Sequence, residues 1–321
     1  MHVVITGAGG FLGNRLARAL AERGRLRGAP ITALTMADLS APEPVAAPFP
    51  VRSRACGVAQ RDQVDALLSD GAEVIFHLAA IVSGQAEAEF DLGMAVNLTG
   101  SLNLFQAARA LGTCPVVVFT SSIAVYGGEA PDPITDTVLL NPQTSYGAQK
   151  AAAEMILTDM SRRGFIDGRG LRLPSITIRP GRPNRAASSF MSSIFREPLQ
   201  GQEAVCPVPP DYVLWALSPR RCIENLIHGA ELPGQAFGPN RCLALPGRSY
   251  TIGEMVEAMR RVAGEAPVRL IRWEVDPELM RIVADWRGRF AVEKALRLGF
   301  VRDESFEDNV RQFLSEELGR G

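Results

Sequence analysis

Val3-Val4-Ile5-Thr6-Gly7-Ala8-Gly9-Gly10-Phe11-Leu12-Gly13 opens the chain with a short apolar run, a glycine-rich turn and the start of an amphipathic stretch carrying Leu12, Leu16, Ala19 and Leu20. An apolar run that passes through glycines into a 3.6-residue period predicts strand, tight turn, helix. Gly7, Gly10 and Gly13 keep Gly-x-x-Gly-x-x-Gly spacing. That spacing lets a backbone turn sharply, approach a pyrophosphate closely and aim the amides of a helix N-terminus at it. The turn therefore predicts a dinucleotide site built from Gly7, Gly10, Phe11, Leu12 and Gly13. A second strand, Ile31 to Met36, ends at Ala37-Asp38. An aspartate there accepts from the adenosine ribose hydroxyls and repels a 2'-phosphate, so the expected cofactor is NAD.

Working outward, Val51 to Cys56 is a poor third strand, with arginines at alternate positions. Glu73 to Leu78 is a better fourth one and runs into Ala79-Ala80, whose small side chains let the backbone lie along a cofactor. His77, at the end of that apolar run, reads as a satisfied core histidine. Asp91 to Leu111 reads as one long helix with Asn97 buried in its path. A fifth strand, Val116 to Phe119, delivers Thr120-Ser121-Ser122 at its C-terminal end, where open parallel sheets bind ligands. Ser145 is the expected N-cap of the next helix. A sixth strand is expected within Leu171 to Ile178, irregular or at an edge because of Pro174.

The predicted class is α/β: a Rossmann doubly wound parallel sheet with a smaller C-terminal α+β lobe. Residues 1–178 form the NAD-binding domain, to which the chain returns near 208–235, and 179–321 form the substrate-binding lobe. From Arg182 onward the strand–helix alternation lapses and prolines punctuate the chain through Tyr212. Helices are expected from Ser218-Pro219 to Leu232, from Ile252 to Val262 and from Phe306 to Leu318, with a strand at Cys242 to Leu245.

Tyr146-Gly147-Ala148-Gln149-Lys150 puts a phenol and an ammonium on one helical face. A phenol acting as a base near neutrality must lose roughly three pH units from its ordinary pKa near 10, about 4 kcal/mol. A cation at about 4 Å supplies roughly that much at an effective dielectric of about 20. The sequence has only two lysines, Lys150 and Lys294, among 34 cationic residues. A compact ammonium at this position is not interchangeable with a guanidinium fork.

Bulk properties exclude several classes. Lys+Arg number 34 against 35 Asp+Glu, a net charge of -1 without basic clustering, so no nucleic-acid partner is expected. Cys56, Cys114, Cys206, Cys222 and Cys242 are odd in number and far apart, which predicts unpaired thiols in a reducing cytoplasm. No leader is expected ahead of the first strand, no apolar run spans a bilayer, and His2, His77 and His228 have no metal-ligand spacing.

Together, Gly7 to Gly13, His77-Leu78-Ala79-Ala80, Asn97, Ser122 and Tyr146 with Lys150 resemble the extended short-chain dehydrogenase/reductase family, also called the NAD-dependent epimerase/dehydratase family. The resemblance implies that Tyr146 is the catalytic base, that Lys150 holds the nicotinamide ribose and that Ser122 donates to the substrate oxygen. It further implies that Asn97 anchors a water near the lysine. Leu78, Ala79, Ala80 and Ser83 then line the cofactor, Ser83 also meets substrate, and a homodimer forms through the helices at 91–111 and 145–163. Ile123 follows Ser122 where family dehydratases carry an acid, which disfavours elimination. Leu217-Ser218-Pro219-Arg220-Arg221 replaces the segment usual in family epimerases. Within the family, 179–184, 188–203, 208–211 and 218–221 look most similar to enzymes that oxidise the C2 hydroxyl of a four-carbon sugar acid. Such a substrate needs a cation for its carboxylate, and Arg179 and Arg182 are the first candidates. The alternative is a nucleotide-sugar epimerase with tightly bound NAD.

Overall fold

Val3, Val4 and Ile5 are fully buried because β1 (His2–Thr6) lies inside a parallel sheet whose two faces are both covered. The computed structural model describes residues 1–181, 187–283 and 285–320. Beside β1 the sheet contains β2 (Ala33–Asp38), β3 (Val51–Ala55), β4 (Val74–His77), β5 (Val116–Ser122), β6 (Asp167–Leu173) and β7 (Cys242–Ala244). Their order is β7-β6-β5-β4-β1-β2-β3, with every neighbouring pair parallel. The order reverses around β1. At such a switch point the C-terminal strand ends open onto a crevice, and those ends carry Gly7, Asp38, Leu78 and Ser122.

Strand β3 lies at the sheet edge, which accounts for its alternate arginines: Arg52 and Arg54 face solvent and blunt the edge with charge. Helices α1 (Phe11–Arg23), α2 (Arg61–Leu68), α3 (Gly100–Ala110) and α4 (Ser145–Arg162) follow strands β1, β3, β4 and β5 in sequence. Val64 and Leu68 of α2, Leu104 and Phe105 of α3, and Ala153 and Leu157 of α4 pack in one cluster with Val4, Ile75, Val117 and Phe119 of the sheet. Burying a large apolar side chain of this kind contributes about 1.5–3 kcal/mol.

Three local expectations change. β6 starts at Asp167 and stops at Leu173, one residue short of Pro174, and is interior, between β5 and β7. The proline ends the strand instead of interrupting it, so no ladder donor is lost. The single helix expected over 91–111 is Phe90–Gly93, a π-helical turn Met94–Thr99 and then α3. The extra residue of a π turn re-aims a side chain, here the buried Asn97. Finally, Thr144 and not Ser145 caps α4: its extended backbone lets Oγ1 accept from Gly147 N–H at 3.1 Å.

The chain divides into two compact units. The first comprises Met1–Val125, Thr144–Leu173 and Ile223–Leu245, the second Tyr126–Gln143, Pro174–Cys222 and Pro246–Gly321. The second unit holds a sheet of Ser175–Ile176, Val213–Leu217 and Arg248–Thr251. Its core gathers Phe195, Ile252, Met255, Met259, Phe306 and Val310 from helices Phe190–Leu199, Ile252–Ala263 and Phe306–Leu318. The segment 126–143 counts with this unit, and the return to the first unit runs over 223–245, where the sequence suggested 208–235.

Candidate active site

Gly7 follows β1 with φ +73°, a left-handed conformation that favours glycine. A Cβ there would lie 2.6 Å from Ala79 N and 2.7 Å from the Leu78 carbonyl carbon. A Cβ on Gly13 would lie 2.7 Å from Ala8 Cα and closer still to the Gly7 carbonyl oxygen. Helix α1 starts at Phe11 with no side-chain cap, which leaves first-turn amides open. This bare cradle with uncapped amides fits a pyrophosphate. Asp38, the last residue of β2, is pinned beside it: Oδ2 accepts from Gly9 N–H at 2.9 Å and Oδ1 from Leu39 N–H at 2.7 Å.

The end of β5 supplies Ser122, whose Oγ accepts from Ala124 N–H at 3.1 Å and whose hydroxyl lies close enough to the Tyr146 phenol to oppose the rise of its pKa. Lys150, one turn further along α4, is 1 % exposed. Its Nζ donates to Thr120 O at 2.9 Å and stands 4.7 Å from the Phe119 ring centroid and 5.8 Å from that of Tyr146. A hydroxyl, a phenol and a buried ammonium thus meet where β4 and β5 end.

Residues 3–221 match the NAD dependent epimerase/dehydratase family. The chain belongs to that family. Over 320 residues it is 48% identical to a D-erythronate dehydrogenase of Cupriavidus necator, covering 98% of each chain. A D-erythronate dehydrogenase of Haemophilus influenzae is 40% identical, over 99% of this chain and all of that one. Among solved structures, the nucleoside-diphosphate-sugar epimerase from Agrobacterium tumefaciens superposes with a TM-score of 0.96 at 47% identity, covering 100% of this chain and 95% of the other. This family member is an NAD-dependent oxidoreductase, and NAD is its cofactor.

The electrostatics of the Tyr–Lys pair run opposite to what the helical spacing predicts. Tyr146 is partly exposed, yet desolvation pushes its phenol up to about 12, against a smaller opposing effect of the nearby Ser122 hydroxyl. The same burial pulls Lys150 down to about 7, although the Glu154 carboxylate, one turn on, raises it. Spacing alone puts a full charge about 4 Å from the phenol and omits the cost of burying both groups. In the fold the ammonium is aimed at the Thr120 carbonyl, and both partners favour their neutral forms. Glu154 is itself held by Arg172 of β6, with contacts of 2.6–3.1 Å.

Leu78 N–H donates to Thr6 O at 3.1 Å, which lays 78–80 along the glycine turn, and Ser83 opens the short helix Ser83–Ala88. In the second unit, Arg179 Nη2 donates to Ser188 O at 3.2 Å, and burial next to Arg196 lowers its pKa. Arg182 lies outside the described residues. His77 is a core residue, as its place in the sequence suggested, and is lowered to about 3 by burial and by Lys150. Sequence reasoning missed Gln149, which meets Asn97 from 52 residues away, because no local spacing signals that pair. Among the described residues no helix is long and apolar enough to cross a membrane, and no group of three or more His, Cys, Asp or Glu could hold a metal.

Two substitutions test the cofactor cradle. Gly13→Ala forces a Cβ into backbone atoms that cannot swing away, so it should cost about 3 kcal/mol or more and weaken NAD by at least about tenfold. Thermal unfolding and NAD titration read both, and unchanged values would show that the turn yields. Asp38→Ala should weaken NAD and raise the relative use of NADP, since it removes a ribose acceptor and a repulsive charge together. An unaltered NAD/NADP ratio of kcat/KM would make Asp38 a turn residue only.

Proposed function

We propose that this chain oxidises the C2 hydroxyl of D-erythronate, or of a close four-carbon sugar acid, to the ketone 2-dehydro-D-erythronate. The observation that carries the reading is the full-length similarity to two D-erythronate dehydrogenases, at 48% and 40% identity. The convergence of Ser122, Tyr146 and Lys150 near the C-terminal end of β5 supports it chemically.

Gly7, Gly10, Phe11, Leu12 and Gly13 would hold the pyrophosphate, Asp38 the adenosine ribose, and Leu78, Ala79, Ala80 and Ser83 the stretch of cofactor between its two ends. Tyr146 and Lys150 would hold the nicotinamide ribose. When bound, NAD supplies the two-electron acceptor. Ser122 donates to the substrate oxygen and orients the C2 hydroxyl, with Ser83 beside it. Tyr146 takes the hydroxyl proton as general base. Lys150 in its protonated form would favour the phenolate that proton removal requires, against the burial that favours the neutral forms of both groups, and Asn97 keeps its surroundings hydrogen-bonded. The substrate carboxylate must be paired when it leaves water; Arg179 and Arg182 are the proposed partners, in the unit proposed to bind substrate. The same reading makes the enzyme a cytoplasmic homodimer, and the five free cysteines suit a reducing compartment.

The likeness to the Agrobacterium tumefaciens protein, a nucleoside-diphosphate-sugar epimerase at 47% identity, favours a second reading in which NAD stays bound and is regenerated each cycle. Initial rates on a panel of four-carbon acids and UDP-hexoses distinguish the two. We expect the highest kcat/KM with D-erythronate; a panel in which only UDP-hexoses turn over would reverse the order.

A further inference from the structure

Asn97 is fully buried in the π turn, and a backbone donor sets its amide. Ile81 N–H donates to Oδ1 at 2.9 Å, so Nδ2 faces the other way, donating to Ile81 O at 3.3 Å and to Gln149 Oε1 at 2.9 Å. That orients Gln149 in turn. With Oε1 accepting, its Nε2 is turned toward Gly93, where it is buried without a hydrogen-bond partner, and a Cβ on Gly93 would lie 2.5 Å from it. The side chain is only 2 % exposed.

A second line reaches the Asn97 main chain. Ser101 Oγ donates to Asn97 O at 2.7 Å, which leaves Ser101 to accept from His77 Nε2–H at 3.0 Å. His77 Nδ1 then accepts from Thr6 Oγ1–H at 2.7 Å. The turn holding Asn97 is therefore tied on one side to the cofactor strand and on the other to α4.

A buried amide donor without a partner costs about 1–3 kcal/mol, so packing alone favours an apolar side chain of the same length at 149. We propose that Gln149 is a positioning residue for the Tyr146–Lys150 pair: through Asn97 it locks α4 onto Ile81, just past the Leu78–Ala80 segment, and so fixes where the Lys150 ammonium stands. Gly93 is part of the device, because its missing side chain is the space that the amide fills. The inference rests on the proposed roles of Tyr146 and Lys150.

Gln149→Leu keeps the length and removes both amide functions. We expect kcat for NADH formation from D-erythronate to fall at least about tenfold, with KM for NAD within about threefold and an unfolding temperature no lower than that of the parent. Without NAD, exchange of the Ile81 amide should accelerate at least about tenfold. Gln149→Glu, whose carboxylate still accepts from Asn97, should recover kcat to within about threefold of the parent. Gly93→Ala, which leaves Gln149 in the sequence but displaces its amide, should repeat the Gln149→Leu result and replaces it should that variant not fold. Parental kcat and exchange in both variants, equal losses in Gln149→Glu and Gln149→Leu, or activity lost only in step with stability would each overturn the proposal. Tyr146→Phe runs as the control: if it stays active, the role given to Tyr146 fails, and Ile81 exchange alone then decides the clamp.

Discussion

Tyr146→Phe should lower kcat for D-erythronate oxidation by about 10²–10⁴, the range a positioned acid/base group contributes, while leaving the fold and NAD affinity almost unchanged. The ring keeps its packing, so little stability should be lost. The fold gives this variant its weight, because Tyr146 is the phenol beside Ser122 at the C-terminal end of β5. Steady-state NADH formation with an independent NAD titration is the check. A kcat within about tenfold of the parent would remove Tyr146 from proton transfer.

Lys150→Met should abolish turnover and yet make the protein more stable at pH 7. Moving a buried ammonium from an ordinary 10.5 to about 7 corresponds to about 5 kcal/mol held against the charged form. Two favourable terms offset part of this: the hydrogen bond to Thr120 O, about 1 kcal/mol, and the approach to the Phe119 ring, about 1–2 kcal/mol. The net gain expected from methionine at neutral pH is about 2 kcal/mol. Its pH dependence has a definite sign. The folded-state value is depressed, so the cost of Lys150 is fully present below about pH 7 and disappears as the pH rises toward 10.5, where the unfolded lysine also loses its proton. Thermal unfolding of both proteins at neutral pH and near pH 9.5 should show the methionine variant ahead in the first case and the gap narrowed in the second. A less stable variant at both values would mean that Lys150 contributes more in its contacts than its burial costs.

Much of the fold was legible because its signals are local. The Val3 to Gly13 stretch carries strand, turn and helix within a few residues, and its steric basis is visible in the space denied to a Cβ at Gly7 and Gly13. Tyr146, Lys150 and Ser122 were legible as residue types at fixed spacing on elements whose ends had to converge. What was not legible depends on distant pairs or on burial. Pro174 read as a defect in a strand that in fact ends at Leu173. The π turn at 94–99 is invisible to a 3.6-residue period that simply continues through it. The direction of the Tyr146 shift needed desolvation, which spacing does not report, and the Gln149–Asn97 contact joins positions with no shared sequence pattern. Helix Phe190–Leu199 was hidden by a neighbourhood rich in proline and serine, although Phe190, Met191, Ile194, Phe195 and Leu199 bury a clear apolar face.

The central claim is net oxidation of a sugar acid at C2, and product stoichiometry tests it most directly. Purified protein incubated with NAD and D-erythronate should form NADH and 2-dehydro-D-erythronate in equal amounts, while UDP-hexoses give no accumulating NADH. Absence of NADH from D-erythronate and its four-carbon relatives, together with interconversion of UDP-hexoses, would contradict it.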